Sequence, residues 1–175
     1  MTDLELAKEA LAGHTIALCR NGDVITSDKR GVAPMVDFIR EGRDLDGYSA
    51  ADLVVGRAAA MLFISAGIRE LHAKVLSSGA KALLDDHGIS VSFDTLTEQI
   101  VNREGTGPCP MERAVSGTDD IREGVSLIGD TLDRLRAKNQ NKKRLPRHSD
   151  CILLRLPRDF FLCGAIFAPA LLQLS

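Results

Sequence analysis

The apolar positions of the chain change their period several times, and each change marks an element. Leu4, Leu6, Ala7, Ala10 and Leu11 recur at helical spacing after Thr2 or Asp3 as a cap, with Gly13 as a stop, which predicts a short amphipathic helix. Thr15-Ile16-Ala17-Leu18-Cys19 and Val24-Ile25-Thr26-Ser27 flank Asn21-Gly22, a pair that accepts the positive φ angles of a tight turn, so a β-hairpin is expected. Helical spacing returns over residues 32–41, with Pro34 in the first turn, where a missing amide hydrogen costs little, and Gly42 as terminator. Ser49 reads as the cap of a helix reaching Ser65; residues 54–62 are apolar nearly all round, so this helix is expected to be central and buried.

After Gly67, residues 68–76 read as a strand, 79–86 as a helix ending near Gly88, 89–93 as an alternating strand and 96–101 as a short helix. A Gly- and Pro-rich loop leads into a last amphipathic helix over 119–138, with Ile121, Val125, Leu127, Ile128, Leu132 and Leu135 on its apolar side. The order α-β-β-α-α-β-α-β predicts an α/β fold, a three-layer α-β-α sandwich with a mixed sheet, in one domain over residues 1–137. Residues 138–150 read as a basic polar linker and 151–175 as an apolar tail broken by Pro157 and Pro169. Arg155, Arg158 and Asp159 leave about 15 uninterrupted residues where a bilayer asks for ~20, so no integral membrane span is expected. The tail reads either as a segment packing on the domain or a partner, or as an extension from a shifted reading frame.

Composition removes several classes of function. Twenty-two basic against 24 acidic residues give a net charge of -2, which leaves no global field toward nucleic acid or anionic lipid. The run Lys142-Lys143-Arg144 with Arg147 has no aromatic residue interleaved and reads as solvated linker, so no nucleic-acid partner is expected. Cys19, Cys109, Cys151 and Cys163 never form a Cys-x-x-Cys pair, and the N-terminus lacks an apolar signal region; reduced thiols and a cytoplasmic location are the expectation. His14, His72, His87 and His148 share no metal-binding spacing, and no Walker loop or dinucleotide fingerprint occurs, so no cofactor is expected.

The chemistry concentrates in the loop from Asn102 to Glu112, with two glycines, two prolines and a thiol. In one reading Gly105 and Gly107 supply unusual φ angles, the prolines fix the turn, and Glu112 caps or salt-bridges a helix. In the other, loop amides around Gly107 and the Thr106 hydroxyl bind an anionic or polar ligand, assisted by Asn102 and Arg103. Cys109 is a candidate nucleophile if a cation such as Arg103 or Arg57 activates it, with Glu112 as acid or base; otherwise it is a small inert thiol. Asp52 and Arg57 stand five apart on the expected central helix, where either Asp52 favours the macrodipole and Arg57 pairs with it or with a carboxylate on another element, or both line a pocket. Ser77 and Ser78 open a helix at a strand's carboxyl end, a position suited to an anion or to a simple cap.

The segments Gly31-Val32-Ala33-Pro34, Ala51-Asp52-Leu53-Val54-Val55-Gly56-Arg57-Ala58-Ala59-Ala60 and Asn102-Arg103-Glu104-Gly105-Thr106-Gly107-Pro108-Cys109-Pro110-Met111-Glu112 together resemble an uncharacterised prokaryotic domain-of-unknown-function family, over about residues 4–136. The resemblance implies a cytidine deaminase-like fold in a branch that lacks the zinc site. Zinc deaminases carry a ligand and a proton-shuttling Glu as His/Cys-Ala-Glu, which falls here on Val54-Val55-Gly56, and a Pro-Cys-x-x-Cys motif, which falls on Ser77-Ser78-Gly79-Ala80-Lys81. Neither segment holds the donors a catalytic zinc requires. Pro108-Cys109-Pro110-Met111-Glu112 imitates the cysteine motif but ends in Glu112 and comes one strand too late. The expected function is therefore binding of a small polar metabolite, nucleotide- or sugar-like, in the pocket this fold uses for its substrate. The alternatives are a cysteine-dependent enzyme using Cys109 and a self-associating, homo-oligomeric module.

Overall fold

In a computed structural model of the chain, which describes residues 1–102 and 105–144, the Asn21-Gly22 turn is formed with φ of 55° and 84°. It joins β1 (Ile16–Arg20) to β2 (Asp23–Ser27) in antiparallel register, Ile16 opposite Ser27. Before the hairpin lies α1 (Asp3–Ala10), closed by a reciprocal capping box between Thr2 and Glu5. After it come α2 (Ala33–Arg40), β3 (Ser49–Val55), α3 (Arg57–Ser65), β4 (Glu70–Ser77), α4 (Ser78–Asp86), β5 (Ser90–Thr97), α5 (Pro110–Ala114) and α6 (Ile121–Arg144).

The strands form one open mixed sheet in the order β2-β1-β3-β4-β5. β1 runs antiparallel to β3, whereas β3, β4 and β5 run parallel, so β3 is the junction between an antiparallel and a parallel half. Side chains alternate between the two faces. Ala17, Cys19 and Ala51 on one face pack against Ala7 of α1 and Leu11 just beyond its end. Ile16, Leu18 and Ala50 on the other belong to the main core, with Met61, Leu62 and Phe63 of α3, Leu84 of α4 and Ile128 of α6. α6 is held on α2 by paired guanidinium-carboxylate contacts, Arg40 with Asp133 at 2.9 Å and Arg136 with Asp37 at 3.0 Å.

The expected helix over residues 49–65 is in fact a strand and a helix in succession. β3 is a central strand with neighbours on both sides, and such strands are written as near-continuous apolar runs that merge with the next apolar helix. Gly56, extended at φ −97° and ψ −178°, is the only residue between them. The expected helix over 96–101 is also absent: Leu96 and Thr97 end β5, and residues 98–100 are irregular. The last helix continues through residues 138–144, where the charge pattern reads as the start of the linker. The rest of the linker and the apolar tail lie outside the described residues.

Candidate functional site

Val55 pairs with Leu76 at the carboxyl ends of adjacent parallel strands, so the helices that come next, α3 and α4, begin side by side. The ends of parallel strands in open α/β sheets are where ligands are most often bound. Each helix start is closed differently. At α4 the buried Ser77 hydroxyl accepts a hydrogen bond from the amide of Ala80 at 3.2 Å, an N-cap. The Ser78 hydroxyl donates to the carbonyl of Glu98 at 3.2 Å and ties the helix to the chain leaving β5.

At α3 the cap residue is Gly56, which has no side chain to offer. The carboxylate of Glu112, from α5, takes its place: Oε2 accepts from the amide of Arg57 and Oε1 from the amide of Ala58, each at 3.0 Å. A negative group satisfying amides at a helix amino end is favoured by both the hydrogen bonds and the macrodipole. The approach depends on Gly56, because a Cβ there would stand 2.7 Å from Cδ of Glu112 and 2.9 Å from Cγ1 of Ile100. Both carboxylate oxygens of Glu112 are thus committed to the backbone.

Asp52 and Arg57 do not share a helix, nor do they pair. Arg57 opens α3 and donates to the carbonyl of Thr118 at 3.1 Å and to the carboxylate of Asp119. Asp52 lies on β3, half-buried on the face of Ala50, and forms no ion pair with a described residue; the amide of Val54 donates to its Oδ1 at 3.0 Å. Burial without a compensating cation pushes its carboxyl up to about 7.

The 102–112 loop closes on itself. Val101 bridges to Pro108, the Asn102 amide donates to the Gly107 carbonyl at 2.8 Å, and Gly105 adopts a φ of 66°. The Asn102 side chain accepts from the Thr106 amide at 3.0 Å and donates to the Thr106 hydroxyl at 2.9 Å, so these two candidates satisfy each other. Arg103 lies outside the described residues. Cys109 precedes α5, half-buried against the main core, and among the described residues no side chain hydrogen-bonds its thiol. The candidates therefore divide into Glu112, Gly56 and Arg57 around α3, Ser77 and Ser78 at α4, the self-contained Asn102-Thr106 turn, and Asp52 alone on its strand.

The zinc site of the deaminases does not fit these residues. Val54, Gly56, Ser78 and Lys81 offer no thiolate, imidazole or carboxylate, and Glu112, whose carboxylate reaches the start of α3, is bound to two amides. Among the described residues no three of His, Cys, Asp and Glu come together as a metal site. The sequence allowed Arg57 a carboxylate partner elsewhere in the fold but did not name Asp119, because the two are 62 residues apart. The Glu112 cap was one of two readings of that residue, and the signal that favours it is a glycine directly before a helix that has no capping side chain.

The crystal structure of a DUF1893 family protein (TM1506) from Thermotoga maritima at 2.70 Å resolution superposes with a TM-score of 0.65 at 26% sequence identity, over 73% of this chain and 89% of that one. No curated protein matches the chain. The family model described as domain of unknown function (DUF1893) matches residues 5–132, from α1 into α6, and the chain belongs to that family.

Proposed function

We propose that this protein is a zinc-free, deaminase-like domain that binds a small polar metabolite, nucleotide- or sugar-like, beside the middle of β3. The observation that carries the reading is Asp52, a half-buried carboxyl without a cationic partner among the described residues, on the strand where the antiparallel and parallel halves of the sheet meet. A carboxyl poised near neutrality both donates and accepts hydrogen bonds, which suits a ligand edge that alternates amide-like donors and acceptors. The order β2-β1-β3-β4-β5 and two helices beginning at adjacent parallel strands support the deaminase-like assignment. Ser78, exposed at the start of α4, is the second contact in this reading. A thermal-shift screen of nucleosides, nucleotides, sugars and sugar phosphates tests it, with Asp52→Asn as the control that abolishes the response.

A second reading, self-association, rests on β5. This eight-residue edge strand, Ser90–Thr97, holds no Pro, Gly or Lys, and Phe93 and Leu96 on it are 37% and 48% exposed. Edge strands without such protection are templates for pairing with another copy. Sedimentation of the full chain against a Leu96→Lys variant tests this reading, a dimer in the parent and a monomer in the variant being the expected result.

A further inference from the structure

A cleft of about 650 Å³ opens on the face of the sheet opposite Asp52, between the end of α1, the segment after β2 and the middle of β3 and β4. Leu53, next to Asp52 in the strand, forms part of its wall, so the two sites lie on opposite faces. Basic side chains from three separate parts of the fold line it: Lys8 on α1, Arg30 after β2 and Lys74 on β4. Lys8 and Arg30 form no ion pair with a described residue. Lys74 holds Asp94 at 2.8 Å, which leaves hydrogens on its ammonium free to donate elsewhere. The one acid on the wall, Asp28, is engaged by Nδ1 of His14 at 2.6 Å. Lys8 and Lys74 also act on the buried ring of His72, whose Nε2 has no hydrogen-bond partner; burial first and then these cations disfavour its protonation.

The walls are fixed rather than pliable. The Thr15 hydroxyl is within 2.8 Å of the Ser27 carbonyl and 2.6 Å of the Lys29 carbonyl, and the Leu53 amide donates to the Thr15 carbonyl at 3.2 Å. These bonds hold the segment before Arg30 against the turn at Gly13, which adopts a φ of 86°. Leu11 and Leu53 add an apolar surface between the charges.

We propose that this cleft is a binding site for a small organic anion, a phosphate or carboxylate group on a compact apolar body, with Lys8, Arg30 and Lys74 around the charge and Leu11 and Leu53 beneath the body. Lys8 and Arg30, which pair with no acid among the described residues, raise the local concentration of an anion, and a low-dielectric wall strengthens the effect. Arg30 supplies the planar donor fork that phosphate and carboxylate accept in pairs. The carbonyls at the end of α1 disfavour an anion at that rim, which places the charged group toward Arg30 and Lys74.

Amide NMR titration of the full chain with phenyl phosphate and, separately, phenylacetate tests this and distinguishes the two head groups. Saturable shifts at Leu11, Gly13, Thr15 and Leu53 with at least one probe are expected, weakened about tenfold or more in Lys8→Ser/Arg30→Ser. Arg122→Ser, which removes an exposed cation from α6, should leave the affinity unchanged. No saturable shift at about 10 mM of either probe, or equal affinity in the double variant, overturns the proposal.

Discussion

Glu112 reaches the amino end of α3 because residue 56 is glycine. The carboxylate binds the amides of Arg57 and Ala58, and the space it uses is the space a Cβ at position 56 would fill. This contact joins the end of β3 to α5.

Removing either partner should destabilise the fold without acting independently of the other. Glu112→Ala is expected to cost about 1–2 kcal/mol by exposing two helix amides, and Gly56→Ala about 1–3 kcal/mol by crowding the carboxylate. In the double variant the added methyl meets a truncated side chain, so the loss should fall short of the sum. Urea unfolding of the three variants measures this; strict additivity would mean that the two residues do not contact each other.

Asp52 makes stability depend on pH in an unusual direction. Its folded proton affinity, raised to about 7, lies above that of the unfolded chain, so the folded state holds a proton that the unfolded state has lost. Its contribution is complete below the unfolded value near 4 and is lost as pH rises to 7, at up to about 1.4 kcal/mol per pH unit. Asp52→Asn should remove this slope and be the more stable protein at pH 8. His72, whose proton affinity is lowered, works in the opposite direction as pH falls through its ordinary range, and the comparison of Asp52→Asn with the parent cancels it. Unfolding curves from pH 4 to 8 check the sign; parallel profiles would show that Asp52 titrates normally.

Asp37 should behave in the conventional way. Although burial opposes it, hydrogen bonds from Lys29 and Arg136 hold its carboxyl below the usual range. It therefore stabilises the protein above the unfolded value, and this is lost as pH falls through the folded one. Asp37→Asn is expected to cost about 1 kcal/mol at pH 7, because both partners are largely in solvent. The cost should shrink toward pH 3 and in high salt.

Cys109, half-buried against the core, should react with iodoacetamide no faster than free glutathione does. Cys19, buried and with its thiol pushed up by burial and by Asp3, should react more slowly for that reason alone. Mass-spectrometric labelling at neutral pH measures both rates. A Cys109 rate far above glutathione would favour the cysteine-enzyme alternative.

Much of the fold was legible because its elements are locally encoded. The Asn21-Gly22 turn, the Thr2 cap, Pro34 at the start of α2 and the alternation in β5 each carry their signal within a few residues. β3 was not legible: a strand buried between two others has no alternation, and one glycine separates its valines from the alanines of α3. The site is affected in the same way, because Gly56 puts Asp52 on a strand and Arg57 on a helix within one apolar run. Arg57 to Asp119 and Glu112 to Arg57 span 62 and 55 residues, and no local pattern announces them.

The metabolite reading rests on Asp52, and its most direct measurement is a thermal-shift screen of polar metabolites run in parallel on the parent and on Asp52→Asn. The expected result is that at least one nucleotide- or sugar-like compound raises the melting temperature of the parent in a concentration-dependent way and leaves Asp52→Asn unchanged. A screen in which no compound stabilises the parent, or in which both proteins respond alike, would contradict it.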